Sequence, residues 1–406
     1  MTRRLKVLIQ QQVLPPYRVP FFRELGRRVD LTVSIADNVR IPGVGTAEPA
    51  PEERTFTLLK FPERMFLGRA YQEGAVQHAL ATRPDVLVAG GGYLPYLAWA
   101  RGGTRRLERA GIGLMTWGCS GYEFDGPEDW RRFAHGTLRR RLHHAYLGHF
   151  YRGHVRGFIS YSAHTSEHLS YAYAIPGDRL FVAENAVDTA AIEGVYAKVA
   201  TGALRKAPDR IVFVGRLIPS KGVDALVRVF ASIAAGFPTS QLVIAGDGPH
   251  RTELEEIAAG SGLLGDRIRF CGHVGDKRQL AEILAGGGIF VLPGYGGLAI
   301  NEAMAAGMAI VCSRGDGTEK HLVAPGENGL LLPRNDVNAL RSALVTLLQD
   351  PALVQAMGQA SFHRITRIFT LAHMVDRYVA ALDGASGRQR AHPTLPLNGD
   401  AQAAEP

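Results

Sequence analysis

Short apolar runs rich in β-branched residues alternate along the chain with longer stretches in which apolar residues recur every three or four positions. In the first half, Lys6–Ile9, Leu31–Ala36, Val86–Ala89, Ile112–Thr116 and Phe158–Ser162 predict strands. After a polar, basic and glycine-bearing stretch from Tyr196 to Pro208, the pattern restarts with Ile211–Val214, Gln241–Ala245, Ile268–Cys271, Ile289–Leu292, Ala309–Cys312 and Leu330–Leu332. Between these lie helix patterns, clearest at Lys221–Ala235, Pro249–Ala259, Leu298–Ala306 and Val337–Leu348. Such alternation implies parallel sheets covered by helices. Two α/β domains are expected, residues 1–200 and 207–367, with a linker near residues 196–208. The helical pattern from Pro351 to Leu382 breaks near Phe369–Thr370, and a last helix over about residues 368–383 is expected to pack back on the first domain. Residues 385–406 are small, polar and proline-rich without periodicity, which predicts a disordered tail.

A length of 406 residues suits two domains, and 46% hydrophobic with 21% charged residues excludes full-length disorder and fibrous structure. No window approaches the roughly 20 consecutive apolar residues of a membrane-spanning helix. The apolar run after Lys6 ends at Gln10, too short for a signal peptide. Cys119, Cys271 and Cys312 lie far apart without a CxxC pair, which disfavours a disulfide framework or zinc cluster and fits a reducing cytoplasm. Cys271 and Cys312 fall in strand runs and are expected to fill core space. The net charge of +8 changes the picture more, because it biases encounters toward anions.

In an open parallel sheet, ligands bind beyond the carboxyl ends of the strands. In the second half those positions form a set: Gly215, Arg216 and Leu217 with Lys221 and Gly222; Gly246, Asp247, Gly248 and Pro249; Gly272, His273 and Val274; then Pro293 through Leu298, with Glu302 one turn into the following helix. Arg216 offers a forked guanidinium and Lys221 a point ammonium, a pair suited to a diphosphate. Gly296 and Gly297 let backbone N–H groups at a helix start approach phosphate oxygens. The Glu302 carboxylate is placed to accept hydrogen bonds from sugar hydroxyls, a ribose diol being the natural partner. Singly, each has an ordinary explanation as a solvated charge or a turn; at successive strand ends, together, they favour a site. No Asp-x-Asp pair occurs, so neither a metal-bridged diphosphate nor a cofactor is expected, and the cationic side chains take that role.

The series Val214-Gly215-Arg216-Leu217 with Lys221-Gly222, Ala245-Gly246-Asp247-Gly248-Pro249, Phe270-Cys271-Gly272, and Gly297-Leu298 through Asn301-Glu302-Ala303-Met304-Ala305-Ala306-Gly307 resembles family 4 of the retaining glycosyltransferases, over about residues 205–350. Upstream, Pro15-Pro16-Tyr17-Arg18 with Pro20-Phe21-Phe22, and Glu184-Asn185-Ala186-Val187-Asp188, are similar to its polysaccharide-assembling members. The resemblance implies a GT-B architecture, two Rossmann-like domains facing across a cleft, the first for an acceptor and the second for a nucleotide-sugar donor. It implies that Arg216 and Lys221 hold the donor diphosphate and stabilise the leaving nucleotide, and that Glu302 holds the ribose. Gly294, Gly296, Gly297 and Leu298 would surround the phosphates and the transferred sugar. His273 and Val274 would contact the base, with Gly215, Gly246, Asp247 and Gly248 completing the donor site. The implied reaction moves a sugar to a hydroxyl of a glycan or lipid-pyrophosphate-linked acceptor in cell-surface polysaccharide assembly, in the cytoplasm or on the inner face of the membrane. The family's paired glutamates stand eight positions apart, and here Gly294 replaces the first. Trp117, at a strand end, either packs in the core or lines the donor pocket.

Residues 131–156 hold seven arginines, five histidines and no acid, interleaved with Phe133, Leu138, Leu142, Tyr146, Leu147, Phe150 and Tyr151. With Arg139, Arg140 and Arg141 at its centre, this amphipathic stretch suits an anionic membrane surface or the pyrophosphate of a lipid-linked acceptor; a solvated helix face is the plain alternative. Tyr17 and Arg18 are further acceptor candidates. No nucleic-acid module accompanies the basic stretch, so no nucleic-acid partner is expected. His143, His144 and His363 lack zinc-site spacing and are expected at the surface. Three other readings compete, of which another enzyme of the same fold, such as a nucleotide-sugar epimerase or a phosphorylase, leaves the basic stretch of the first domain unexplained. Gly294 through Ala299, with Asp316 downstream, matches a loose dinucleotide fingerprint, as in an NAD(P)-dependent oxidoreductase; the missing glutamate at Gly294 fits a catalytically inactive nucleotide-binding scaffold. The fingerprint, however, follows the fourth strand of its domain and leaves Arg216, Lys221 and Glu302 without a role.

Overall fold

The computed structural model describes residues 3–39, 45–90, 92–118, 126–201, 205–315 and 317–386. Cys119, Asp316, the middle of the expected linker and the expected tail from residue 387 onward lie outside them. The chain forms two compact units, Met1–Ala183 with Val375–Pro406, and Glu184–Met374.

The first unit contains the strands β1 (Lys6–Gln10), β2 (Asp30–Ala36), β3 (Thr57–Phe61), β4 (Glu63–Phe66), β5 (Arg69–Gln72), β6 (Val86–Gly90), β7 (Gly113–Gly118), β8 (Gly157–Ser160) and β9 (Leu180–Val182). Seven of them form one parallel sheet in the order β3-β2-β1-β6-β7-β8-β9, while β4 and β5 pair separately as an antiparallel hairpin. Strands β1, β6 and β7 are buried on both faces, as a parallel sheet sandwiched by helices requires. On one face Leu8, Leu87, Leu114 and Phe158 meet Leu97, Trp130, Leu147 and Phe150. On the other, Trp117 lies among Phe21, Phe22 and Tyr378, with ring centroids 5.2, 6.1 and 5.0 Å away. Tyr378 belongs to the last helix, Leu371–Ala385, which runs through the residue where the tail was expected to begin.

The basic stretch is two helices rather than one amphipathic element. Pro127–Ala134 ends before His135-Gly136-Thr137, and Leu138–His154 starts there, its first turn capped by the Thr137 hydroxyl accepting the Arg140 N–H.

The second unit has β10 (Ala207–Val214), β11 (Gln241–Ala245), β12 (Ile268–Gly272), β13 (Gly287–Leu292), β14 (Ala309–Ser313) and β15 (Gly329–Leu332), all parallel in the order β12-β11-β10-β13-β14-β15. Every residue of β13 and β14 is buried, which explains why these runs are continuously apolar. The boundary between the units falls at Ala183, before the expected linker. The helix Ala190–Ala200 belongs to the second unit because Ile192 and Val195 bury themselves in its core.

Candidate functional site

The strand order of the second unit is that of a doubly wound Rossmann sheet, in which the order reverses between its first strand, β10, and its fourth, β13. Ligands of such sheets bind at this switch point, beyond the carboxyl ends of the two strands. The loops that leave β10 and β13 carry Arg216 with Lys221, and Gly294 through Leu298.

These loops are laced together by backbone contacts. After β10 the Gly215 N–H donates to the Ala245 carbonyl at 3.0 Å and the Leu217 N–H to the Asp247 carbonyl at 2.9 Å. One turn of 3-10 helix, Pro219–Lys221, then ends at Gly222, whose left-handed φ of +64° turns the chain into the helix Val223–Ile233. Lys221 Nζ donates to the carbonyl oxygens of Tyr295 at 2.7 Å and Gly296 at 2.9 Å, and the Tyr295 N–H donates to the Ser220 carbonyl at 3.0 Å. Lys221 is thereby fixed beside the glycine-rich loop, where a Cβ on Gly297 would sit 3.6 Å from its ammonium. Arg216 is exposed at the same sheet edge.

Glu302 is in the seven-residue helix Ala299–Ala305 that follows. It is half-buried and, among the described residues, its carboxylate accepts no hydrogen bond. Burial pushes its pKa up to about 7, while the charge of Lys277, at the start of the helix after β12, pulls the other way. Next to it, buried Asn301 donates from Nδ2 to the Asn185 carbonyl at 3.0 Å and so ties the Glu184–Asp188 segment to this helix. In the β11 loop the Gly246 N–H donates to the Gly272 carbonyl at 2.8 Å. Asp247 accepts from the Gly248 N–H at 2.7 Å and from Arg251 at 3.4 Å, so it shapes its own loop. His273 is exposed and Val274 half-buried in the loop after β12.

Two side chains that sequence reasoning passed over complete the support. Buried Glu319 accepts the Gly315 N–H at 2.9 Å and the Gly317 N–H at 3.0 Å, folding the β14 loop around its carboxylate. Arg334 holds the same loop through the Arg314 and Gly315 carbonyls, with its guanidinium carbon 5.7 Å from the centre of the Tyr295 ring. The loop backs the site closely: a Cβ on Gly315 would lie 2.8 Å from the Gly296 nitrogen. The signal in the sequence was a glutamate four residues beyond Gly315, which closely follows the end of β14.

In the first unit the expectations change. Trp117 is 1% exposed and is a core residue of that unit, not a pocket wall. Arg18 is also buried, its guanidinium carbon 4.7 Å from the Trp117 ring centre and 5.2 Å from that of Tyr161, so it is no surface cation; Tyr17 stays exposed. Arg139, Arg140 and Arg141 are exposed. A cavity of about 510 Å³ opens between the helices Pro127–Ala134, Leu138–His154 and Ala163–Tyr173, with Trp130, Leu138, Arg141, Leu142, His144 and Arg152 on its walls. His144, expected at the surface, packs edge-on against Trp130 at 4.5 Å with Nδ1 3.3 Å from the Tyr173 hydroxyl. Among the described residues no group of three or more His, Cys, Asp or Glu could hold a metal ion, and no helix is long and apolar enough to cross a membrane.

Residues 208–350 match the family of glycosyl transferases group 1, so the second unit carries a domain of that family. The phosphatidyl-myo-inositol mannosyltransferase of Mycolicibacterium smegmatis is 31% identical over 162 residues, 39% of this chain and 40% of that protein. The glycogen synthase of Mycobacterium tuberculosis is 31% identical over 200 residues, 48% of this chain and 47% of that protein. The chain thus spans less than half the length of the curated relatives it matches. Among solved structures, HepE of Anabaena in complex with UDP superposes with a TM-score of 0.67 at 17% identity, over 93% of this chain and 100% of that one. Two α/β units with parallel sheets, matched over nearly the whole chain to such structures, define the GT-B fold.

Proposed function

We propose that the protein is a retaining glycosyltransferase that moves a sugar from a nucleoside-diphosphate-sugar to a hydroxyl of a glycan or lipid-linked acceptor, in the assembly of cell-surface polysaccharide. The observation that carries this reading is the fixing of Lys221 beneath the Tyr295–Gly297 loop at the switch point, where a diphosphate would meet an ammonium and a glycine-rich backbone together. Arg216 and Lys221 neutralise the charge that develops on the departing diphosphate, as oriented cations do elsewhere in transfer chemistry. Glu302 receives the ribose hydroxyls, and the acceptor hydroxyl attacks the anomeric carbon from the face the nucleotide leaves. No divalent metal takes part. HepE, which shares the fold, has been solved with UDP and with UDP-glucose, and the relatives named above are a mannosyltransferase and a glycogen synthase. The basic helices of the first unit rest on an anionic membrane surface or hold a lipid-linked acceptor, which makes the enzyme cytoplasmic and peripheral to the membrane.

A thermal-shift panel with UDP, GDP, ADP, dTDP, NAD and NADP tests the donor assignment. A ligand at 100 times its dissociation constant adds about 2.7 kcal/mol to folded-state stability. Stabilisation by one nucleoside diphosphate and not by the dinucleotides is the expected result and identifies the base. Stabilisation by NAD or NADP alone overturns the reading in favour of a dinucleotide-dependent oxidoreductase.

A further inference from the structure

The hairpin β4–β5 lies outside the parallel sheet, and its tip is built against ordinary turn chemistry. Its strands pair from Glu63 with Gln72 to Phe66 with Arg69, which leaves Leu67 and Gly68 as a two-residue turn, at φ +48° and +72°. Both positions of such a turn need positive φ, and Asn-Gly or Asp-Gly is the pair that accepts it; a leucine there is held in a conformation its side chain disfavours. The same leucine is 74% exposed, and the two residues before it, Met65 and Phe66, are 65% and 47% exposed. Leu67 therefore costs stability through its backbone and gains none through burial, and three consecutive large apolar residues are exposed.

The tip does not stand alone. Tyr71 stacks on Tyr96 at 4.3 Å and Phe66 meets the same ring edge-on at 6.2 Å, which fixes the hairpin to the helix Leu94–Trp99. That helix ends in half-exposed Trp99, 5.3 Å from Tyr146 of the helix Leu138–His154. One and two turns before Tyr146 on that helix come Leu142 and Leu138, 63% and 70% exposed. Arg69 at the base of the turn lies near His143 of the same helix, which burial, then Arg69 and Arg139, hold below its ordinary pKa. The face so formed carries an apolar ridge with Arg69 and Arg139 along it, neither of them in an ion pair among the described residues, whereas Arg64 is paired with Glu73.

We infer that this face docks on an anionic lipid bilayer, with Met65, Phe66 and Leu67 as a wedge that enters the boundary between headgroups and acyl chains and the arginines engaging lipid phosphates. The proposal rests on the peripheral-membrane reading above and names the inserting element, which is a hairpin and not only the basic helix. Apolar side chains bordered by cations are the arrangement an anionic interface selects. A second copy of the chain fits less well, because it would set like charges of the same basic face against each other.

The test uses the full chain and vesicles of phosphatidylcholine with or without phosphatidylglycerol, in flotation assays without donor or acceptor. The wild type is expected to float with the anionic vesicles only. Leu67→Asn restores the favoured turn pair while removing the wedge's apex. It is expected to keep or raise the unfolding temperature while weakening vesicle binding severalfold, and Met65→Ser with Phe66→Ser and Leu67→Ser to weaken it about tenfold or more. Leu67→Trp is expected to show a blue-shifted emission on vesicle binding that brominated acyl chains quench. Vesicle binding unchanged by the hairpin variants, or an unquenched Trp at position 67, overturns the wedge. If such binding still falls with Arg139, Arg140 and Arg141 replaced by Ser, the surface reading survives and only the wedge fails. Hairpin-dependent self-association in ultracentrifugation without vesicle binding makes the face a protein interface and overturns both. Nucleoside-diphosphate stabilisation, measured on the same samples, reports separately on the transferase reading.

Discussion

A Cβ placed on Gly294 would come within 2.2 Å of the Ser220 carbonyl oxygen and within 2.7 Å of Lys221 Cα. The position where the resembled family carries its first glutamate is therefore closed by backbone, and the loop uses that closeness to bring Tyr295 and Gly296 over Lys221. Backbone cannot give way as the end of a side chain can, so Gly294→Ala forces the two loops apart. Such overpacking typically costs about 1–3 kcal/mol, and here most of it falls on the loop. Calorimetric titration is expected to show nucleoside-diphosphate affinity reduced by an order of magnitude or more, with circular dichroism unchanged. Wild-type affinity in Gly294→Ala would mean that the loop does not meet the ligand.

On the proposed function, Lys221→Ala and Arg216→Ala are expected to lower sugar transfer by two orders of magnitude or more each, because each would remove charge stabilisation on the leaving group of a kind worth about 3 kcal/mol. Lys221→Ala carries a second effect, since its ammonium also joins the β10 and β13 loops through two carbonyl oxygens. Its donor KM is expected to rise along with the fall in kcat, whereas Arg216→Ala acts mainly on kcat. Near-wild-type turnover in both variants would remove the diphosphate assignment.

The second unit was legible in the sequence because each strand has an apolar run and most are followed closely by glycine, so the loops after β10, β11, β12 and β13 marked themselves. The first unit was less so. Strand β3 is only half-buried and reads Thr57-Leu58-Leu59-Lys60-Phe61 without clean alternation, and the β4–β5 hairpin puts its apolar residues in solvent. Glu319 and Arg334 escaped notice because their partners are backbone groups, which leave no second residue type to recognise. Lys206 lies in the basic stretch expected as a linker, yet it is half-buried with Nζ donating to the Ala306 carbonyl at 2.8 Å and to that of Gly307, and burial pulls its pKa down to about 7. Trp117 and Arg18 show the same limit in reverse. Trp117 at its strand end suggested a pocket and Arg18 in its Pro-Pro-Tyr-Arg motif an acceptor contact, and only the packing of Phe21 and Tyr378 around Trp117, with Arg18 over its ring, reveals a core.

The raised pKa of Glu302 makes a signed prediction. Its carboxyl titrates at about 7 in the folded protein against an ordinary 4.5, so the stability it contributes is full below 4.5 and is lost as pH rises through 7, by about 3 kcal/mol. Glu302→Gln removes that loss, and above pH 7 the ligand-free variant is expected to melt higher than the wild type. If Glu302 receives ribose hydroxyls as proposed, they bind the ionised form, whose two oxygens are both free to accept, and wild-type nucleotide affinity is then expected to increase with pH through the same interval. The variant's affinity should be weaker and flat. A pH-independent wild-type affinity would dissociate Glu302 from the ribose.

The first unit carries the opposite device. His168 is 2% exposed, edge-on to Trp130 at 4.9 Å and with Nδ1 3.1 Å from the Tyr171 hydroxyl. Burial lowers its pKa to about 4 from 6.5, and the neighbouring His164 and His144 add to the effect. The folded state therefore refuses a proton that the unfolded chain accepts, and stability present above pH 6.5 is lost as pH falls toward 4, by about 3 kcal/mol. Because His168, His144 and Trp130 hold together the helices around the 510 Å³ cavity, that loss is expected to open this region before the second unit. Hydrogen exchange at acid pH should then locate early deprotection in residues 127–173. His168→Phe keeps an aromatic ring against Trp130 without the titration, and it is expected to flatten the acid limb of urea-unfolding stability. An acid limb as steep as that of the wild type would assign the acid sensitivity to other groups.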